Sequence, residues 1–418
     1  MLNSYICALD IGSSKCAASV AVFNRRRITD IFSESIPSKG IKNGAIVDST
    51  SLIDTVGTLL KGLRRRSGIK IKFINVNISG QDILTKHSRA IVPLAERGNK
   101  VITASDVQCA NEQARILGSS LDEEIIHTVP SAYAIDSKTN IINPVGLYSH
   151  KLEVDLYLIC ARVSSIQSLS RAIHQAGYEI KNLIFSGVAT SEIVLYKEPK
   201  EGNVVFCDIG SDTTELLLFS SGLLKDVQIL AFGGHDLTVR LQEALKIPFE
   251  LAEEIKRSHG IVAESKEIGE DKEILVKKSD LYKPIKQRLV SEIITSAATT
   301  ICSYIKEALE NKIPYYEVSS FLVSGRTLLL EGFIETLETT LSIPVKLGSI
   351  SHPLILPFVK EDENLSGMKY LTYLTSLGMI CEALEEKPLG FLPMAAHPAR
   401  NIISQVLHRV REVYQEYF

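Results

Sequence analysis

The 418-residue chain is 45% hydrophobic and 23% charged, with a net charge of −3 at pH 7. That balance excludes a disordered, collagenous or coiled-coil chain and gives no electrostatic case for a nucleic-acid partner. Seven cysteines with no Cys-x-x-Cys pair, no signal-peptide pattern at Met1–Asp10 and no apolar run long enough to span a bilayer predict a cytosolic protein with buried, reduced thiols.

In chain order, Tyr5–Leu9 reads as a strand running into Asp10-Ile11-Gly12-Ser13-Ser14-Lys15. Cys16–Phe23 resumes the strand, and the basic turn Asn24–Arg27 closes the hairpin. Leu52, Val56, Leu59, Leu60 and Leu63 form one helical stripe within Ser51–Leu63. A more polar block, Ile83–Ala161, reads as a small α+β insertion with a helix at Ala104–Leu117 and strands at Lys151–Cys160. Leu169–Ala176 reads as a helix stopped by Gly177.

Half a chain later the opening pattern returns. Asn203–Cys207 leads into Asp208-Ile209-Gly210-Ser211-Asp212-Thr213-Thr214, and Leu216–Phe219 follows as a strand. Two copies of strand, Asp-Ile-Gly-Ser turn and strand mark an internal duplication with a period far too long for a solenoid. Helices are expected at Leu237–Leu245, Leu251–Ser258 and Ile285–Leu309, and a third strand-to-loop unit at Phe321–Arg326. Pro388, Gly390, Pro393 and Pro398 make Glu385–Ala399 a linker, and Arg400–Phe418 reads as a final helix.

Each Asp-Ile-Gly-Ser turn alone is compatible with a plain hairpin. Together they point to a nucleotide cleft, because a tight turn of Gly and small hydroxyl residues gathers backbone N–H groups into a nest for phosphate oxygens. The Asp at each strand end supplies a carboxylate for Mg²⁺, directly or through water.

The two turns, the segment Ile184–Glu192 read as a connecting helix, and the turn Val323-Ser324-Gly325-Arg326 resemble the actin and sugar-kinase ATPase superfamily. Within it the chain is most similar to the FtsA family of bacterial actin-like cell-division proteins. Pro37–Gly44, Val76–Gly80, Ile126–Pro130 and Ala252–Gly260 occur in that family's order. The resemblance implies an α/β, two-lobed actin-like (ribonuclease H-like) fold with duplicated mixed sheets. It implies a first-lobe core at 1–82, 162–197 and 370–384, interrupted by an inserted subdomain at 83–161. The second-lobe core would span 198–235 and 319–369, with an outer subdomain at 236–318, a flexible linker at 385–399 and an amphipathic membrane-targeting helix at 400–418.

Carried residue by residue, the resemblance implies ATP and Mg²⁺ as ligands. Asp10, Gly12, Ser13, Ser14 and Lys15 would meet the phosphates with Asp208, Gly210, Ser211, Thr213 and Thr214, while Asp10 and Asp208 would hold the metal through water. Glu192 would orient the attacking water. Glu253, Lys256 and Arg257, on adjacent parts of one helical face, would line the purine and ribose, and Ser324, Gly325 and Arg326 would close over the adenosine. Read without the family, that charged trio is equally a solvated face. Arg288 and Glu292 would lie in the site for the FtsZ C-terminal tail; by spacing alone they are an ordinary surface pair.

Two turns depart from the family pattern, which has Gly-Gly where this chain has Ser211-Asp212 and Gly where it has Arg326. A carboxylate at Asp212 aimed into the cradle would repel a phosphate by about 1 kcal/mol or more; one aimed outward, or at Mg²⁺, would not. The expectation is nucleotide binding with at most weak ATPase activity.

The tail places Ile402, Ile403, Val406, Leu407, Val410, Val413, Tyr414, Tyr417 and Phe418 on one stripe. Its charged residues forbid spanning, so it is expected to lie flat on anionic lipid at the inner face of the cytoplasmic membrane. Together these features imply a protein that self-assembles head to tail and tethers FtsZ filaments to the division septum with other divisome proteins. The alternatives are a PilM-like peptide-binding platform of a membrane assembly, which lacks the linker and tail, and a sugar or acetate kinase, which needs a substrate pocket with a catalytic Asp. A heat-shock chaperone would need a further domain.

Overall fold

A computed structural model of the chain describes residues 4–24, 27–95, 98–136, 138–198, 201–263, 273–278, 281–359 and 362–384. The chain divides into two compact units, one of Met1–Lys200, Ser220–Asp226 and Ile350–Phe418, the other of Glu201–Phe219 and Val227–Ser349.

In the first unit, β1 (Ser4–Ile11), β2 (Lys15–Asn24) and β3 (Arg27–Pro37) form an antiparallel meander. Gly12–Ser14 is therefore the turn that closes β1 onto β2. The short strands β4 (Ile41–Lys42) and β5 (Ala45–Ile46) precede α1 (Ser49–Ser67). Asp48 caps that helix, accepting the Thr50 and Ser51 N–H groups at 3.0 and 3.2 Å, and Gly68 ends it at φ +70°. The predicted stripe Leu52, Val56, Leu59, Leu60 and Leu63 is fully buried, each side chain gaining about 1.5–3 kcal/mol from leaving water.

β6 (Phe73–Ile78) runs parallel to β1. The inserted block follows as β7 (Ile83–Pro93), β8 (Lys100–Val101), α2 (Ala104–Leu117), β9 (Glu123–Ile135), β10 (Lys138–Ile141), β11 (Tyr148–Ser149) and β12 (Lys151–Arg162). Its four-stranded sheet has the order β10-β9-β12-β7, with a core of Ala110 and Ala114 from α2 against Val92, Leu152, Leu156 and Leu158. Cys109 on α2 is exposed, against expectation, while the other cysteines are buried.

α3 (Val163–Gln175) starts six residues before the predicted Leu169, because Ser164, Ser165 and Ser168 broke the apolar pattern. β13 (Glu179–Phe185) then pairs parallel with β6, completing the sheet β13-β6-β1-β2-β3. Ile184 and Phe185, read as helical, pair with Asn77 and Ile78 and belong to this strand; α4 begins at Ser186 and ends at Val194.

The second unit repeats the plan, with Ser220–Asp226 of its β-hairpin counted in the first unit. β14 (Asn203–Ile209), β15 (Thr214–Ser220) and β16 (Leu223–Leu230) are followed by α5 (Gly234–Leu245), α6 (Phe249–His259), β17 (Glu273–Lys278), β18 (Leu281–Lys286) and α7 (Gln287–Glu310). The expected α7 start at Ile285 shifts because Ile285 and Lys286 pair with Ile274 and Glu273. β19 (Val318–Ser324) runs parallel to β14, and α8 (Phe333–Leu341) leads to β20 (Val345–Leu347), parallel to β19. The order β16-β15-β14-β19-β20 mirrors β3-β2-β1-β6-β13 strand for strand. The duplication inferred from the two turns is thus present in the backbone.

The last described helix, α9 (Leu374–Leu384), belongs to the first unit and packs on α4, where Gly378 faces the Ala189 carbonyl. The linker 385–399 and the tail with Ile402, Ile403, Val406, Leu407, Val410, Val413, Tyr414, Tyr417 and Phe418 lie outside the described residues. Among the described residues no helix is long and apolar enough to cross a membrane.

Candidate functional site

In each unit the Gly-Ser turn sits at the end of the central strand and is closed by the same bond. Gly12 N–H donates to the Lys15 carbonyl at 2.9 Å, and Gly210 N–H to the Thr213 carbonyl at 3.0 Å. A Cβ on Gly210 would meet that carbonyl at 2.8 Å, so the turn needs a glycine.

In the first unit Asp10 is buried. Its carboxylate accepts from the Lys15 ammonium at 2.8 Å and from the Asn77 amide at 2.9 Å. Asn77 also accepts the Ile11 N–H at 2.6 Å and donates to the Ser186 hydroxyl at 2.9 Å. Lys15 donates a second bond to the Thr372 carbonyl, just before α9. Ser13 accepts the Gly44 N–H at 3.3 Å, and Ser14 lies in the same turn. The neighbouring Cys16 thiol is pushed up to about 11, chiefly by burial, and is not a nucleophile. Glu192 is buried in α4, whose nine residues are all buried.

The second unit has the same frame with different side chains. The Ser324 hydroxyl on β19 donates to Asp208 at 2.6 Å, in the place that Asn77 holds beside Asp10. Gly325 stands at φ +107°, and a Cβ there would lie 2.1 Å from the Ile209 carbonyl. The helix N-terminus at Gly233-Gly234 is bonded onto the turn: Gly234 N–H donates to the Gly210 carbonyl at 3.0 Å and His235 N–H to the Ser211 carbonyl at 2.7 Å. Thr327 adds its hydroxyl to the Gly210 carbonyl at 2.9 Å.

Several expected residues take other work. Thr214 is fully buried and its hydroxyl donates to the Phe232 carbonyl at 2.9 Å. Ser211 donates to the Asp212 carboxylate at 2.9 Å, and Asp212 is buried rather than solvent-exposed. Ser324, expected over the adenosine, is fully buried and orients Asp208.

On α6 the solvated-face reading fails for Lys256. Its ammonium is buried and donates to the Gly234 carbonyl and the Thr238 hydroxyl at 2.7 Å each, and pairs with Glu253 at 2.7 Å. Burial lowers its proton affinity below the ordinary value although Glu253 opposes this. Burial raises that of Glu253, but Lys256, the Thr238 hydroxyl and Arg257 outweigh it, leaving the carboxyl below its ordinary value. Arg257 is the exposed member, 2.7 Å from Glu253. Arg326 adds positive charge near Lys256. Arg288 and Glu292 form an exposed pair at 2.9 Å on the first turns of α7.

Asn77, Thr372, Gly233-Gly234, Thr238 and Thr327 were missed as site residues. Only two left a sequence signal: Asn77, a polar residue inside an apolar strand, and the Gly-Gly pair just before a helix. Hydroxyls, turn amides and one carboxylate per unit fit a phosphate ligand with a hydrated divalent cation. Among the described residues no cluster of three or more His, Cys, Asp or Glu could hold a metal without such a ligand.

A family model described as "Cell division protein FtsA" matches residues 205–378, and one described as "SHS2 domain inserted in FTSA" matches 80–160. The cell division protein FtsA of Borreliella burgdorferi is 26% identical over 353 residues, covering 83% of this chain and 85% of the relative. That of Pseudomonas aeruginosa is 25% identical over 351 residues, 82% of each. Among solved structures, a PilM–PilN type IV pilus biogenesis complex matches with a TM-score of 0.62 at 16% identity, over 91% of this chain and 98% of its own. The MamK double helical filament matches with a TM-score of 0.50 at 11% identity, over 90% and 98%. These likenesses, with the duplicated sheets, place the fold among the actin-like proteins.

Proposed function

Because the chain belongs to the FtsA family of cell division proteins and has an actin-like fold, we propose that it binds ATP with Mg²⁺ and ties FtsZ filaments to the cytoplasmic membrane. The observation that carries the nucleotide is the repeated turn: one closing bond and one strand-end carboxylate oriented by the next strand, in both units. In the first unit Gly12, Ser13, Ser14 and Lys15 would hold phosphate oxygens and Asp10 a hydrated cation; in the second, Gly210, Ser211 and Thr213 would hold phosphate oxygens and Asp208 a hydrated cation. The bound cation would supply charge neutralisation. Glu253, Arg257 and Arg326 remain candidates for the nucleoside, with Gly325 allowing close approach. Thr214, Ser324 and Lys256 act behind them as supports. Glu192 stays the candidate for orienting water.

Turnover is slow, since Asp212 adds negative charge to the second turn and holds the Ser211 hydroxyl. Nucleotide binding favours head-to-tail self-assembly, a reading supported by the filament formed by the structural relative MamK. The exposed Arg288–Glu292 pair suits the acidic FtsZ tail. The proline-rich linker and the apolar stripe from Ile402 to Phe418 form the membrane anchor at the division site, by their sequence pattern.

Isothermal calorimetry with Mg·ATP on the full chain, on Asp10→Ala and on Asp208→Ala tests the core of this reading. Wild-type binding with a loss of tenfold or more in each variant is expected. No binding by wild type, or equal binding by the variants, refutes it.

A further inference from the structure

His127 stands on β9 of the inserted block and is 2% exposed. Its ring reaches out of the insertion's own sheet to the framework of the first unit. The Phe185 N–H, at the last residue before α4, donates to His127 Nε2 at 2.9 Å. A backbone N–H can only donate, so Nε2 is the acceptor and the neutral ring carries its proton on Nδ1. That Nδ1 faces Glu382 on the last turn of α9 at 3.7 Å.

From Phe185 the path takes one covalent step along the backbone and then continues through hydrogen bonds. Ser186 is the next residue, and its hydroxyl accepts from Asn77 at 2.9 Å. Asn77 holds Asp10 at 2.9 Å and Ile11 N–H at 2.6 Å; Asp10 holds Lys15 at 2.8 Å, and Lys15 returns to Thr372 before α9. One end of this path is the first glycine turn and the other is the inserted subdomain. α9 closes the loop: Lys15 bonds Thr372 just before it, and Glu382 on its last turn faces His127. His127, Phe185, Ser186, Asn77 and Asp10 are all buried, so a shift at one of them must be met or broken at the next link.

We infer that His127 is a positioning residue that couples the seating of the inserted subdomain to the Asp10 turn, by accepting the N–H at the start of α4. The link to nucleotide rests on the function proposed above; the mechanical link does not. Any partner that shifts the inserted subdomain then acts on the turn through α4, and a ligand in the turn acts on the insertion with equal coupling.

The test is hydrogen exchange by mass spectrometry on the full chain, comparing wild type, His127→Leu and His127→Gln. Leucine removes the acceptor; glutamine restores an oxygen that can take the Phe185 N–H. In His127→Leu, exchange is expected to quicken at least tenfold at the start of α4 and around Gly12–Ser14, with α2 and β12 unchanged. In His127→Gln those segments return to within about twofold of wild type. Loss of protection confined to β9, or equal loss in both variants, overturns the inference. If His127→Leu does not fold, His127→Gln decides: wild-type protection at the start of α4 supports the acceptor role and its loss refutes it. A parallel Mg·ATP titration separates the two readings. A wild type that binds no nucleotide sinks the proposed function, while the exchange pattern still judges His127.

Discussion

Replacing Lys256 by methionine removes a charge and three polar contacts while keeping most of the side chain's volume. Each hydrogen bond to a charged group is worth about 1.5–3 kcal/mol net, and breaking a buried ion pair costs about 3–5 kcal/mol when the survivor is stranded. Glu253 is not stranded, because Thr238 still donates to it and Arg257 lies at 2.7 Å. The methionine stem also keeps its packing. A loss of about 2–3 kcal/mol follows, which at about 2–4 °C per kcal/mol for a domain of this size is a fall of about 5–10 °C in Tm. Adding Glu253→Gln to Lys256→Met should cost less than the two single changes summed, by about 1 kcal/mol or more, since they share one network. The assay is thermal and urea unfolding at neutral pH with a Mg·ATP titration beside it. If Lys256→Met leaves the Tm unchanged yet abolishes nucleotide binding, the ammonium serves the ligand and its structural assignment is wrong.

Further outcomes are accessible to similar measurements. Asp106, in the capping box with Thr103 and beside Lys100, is held down to about 2 from an ordinary 3.8, chiefly by the Lys100 and Thr103 side chains. Asp106→Ala should cost the inserted subdomain about 1 kcal/mol above pH 4. A depressed acid stabilises above its unfolded pKa, so the gap from wild type should close as pH falls from about 4 towards 2; a gap that persists at pH 2 refutes the cause. Gly378→Ala places a Cβ 1.8 Å from the Ala189 carbonyl and should destabilise by about 1–3 kcal/mol or more in urea titration. Arg288→Glu should weaken binding of an FtsZ tail peptide while shifting stability by less than about 0.5 kcal/mol, as expected for an exposed pair. Unchanged peptide affinity removes the site from α7.

The strand and helix plan was legible wherever periodicity was strong. The stripe of α1, the helix Ala104–Leu117 and both strand-turn-strand copies stood in the sequence because burial on one side imposes their spacing. Errors arose where a strand runs directly into a helix, as at Phe185-Ser186 and Lys286-Gln287. There apolar residues suit either period, and only register with Asn77-Ile78 or Glu273-Ile274 decides which element they join.

The site was legible as two turns but not as a network. A turn is local, so glycine, hydroxyl and carboxylate announce it in four or five residues. What holds each carboxylate comes from a neighbouring strand far along the chain, Asn77 for Asp10 and Ser324 for Asp208, and no spacing rule links them. The same distance hides the difference between a ligand contact and its support. Thr214, Ser324 and Lys256 have the residue types of a phosphate or ribose site, yet each spends its hydrogen bonds on a carbonyl, hydroxyl or carboxylate of its own unit. A buried donor already satisfied gains little from a ligand, because binding would exchange one bond for another after breaking the first. On the proposed reading, the residues that would meet a nucleotide are therefore those at the mouths of the turns. Changes at the supports should alter affinity only through the stability of the turn, and unfolding measurements can tell the two kinds apart where binding alone cannot.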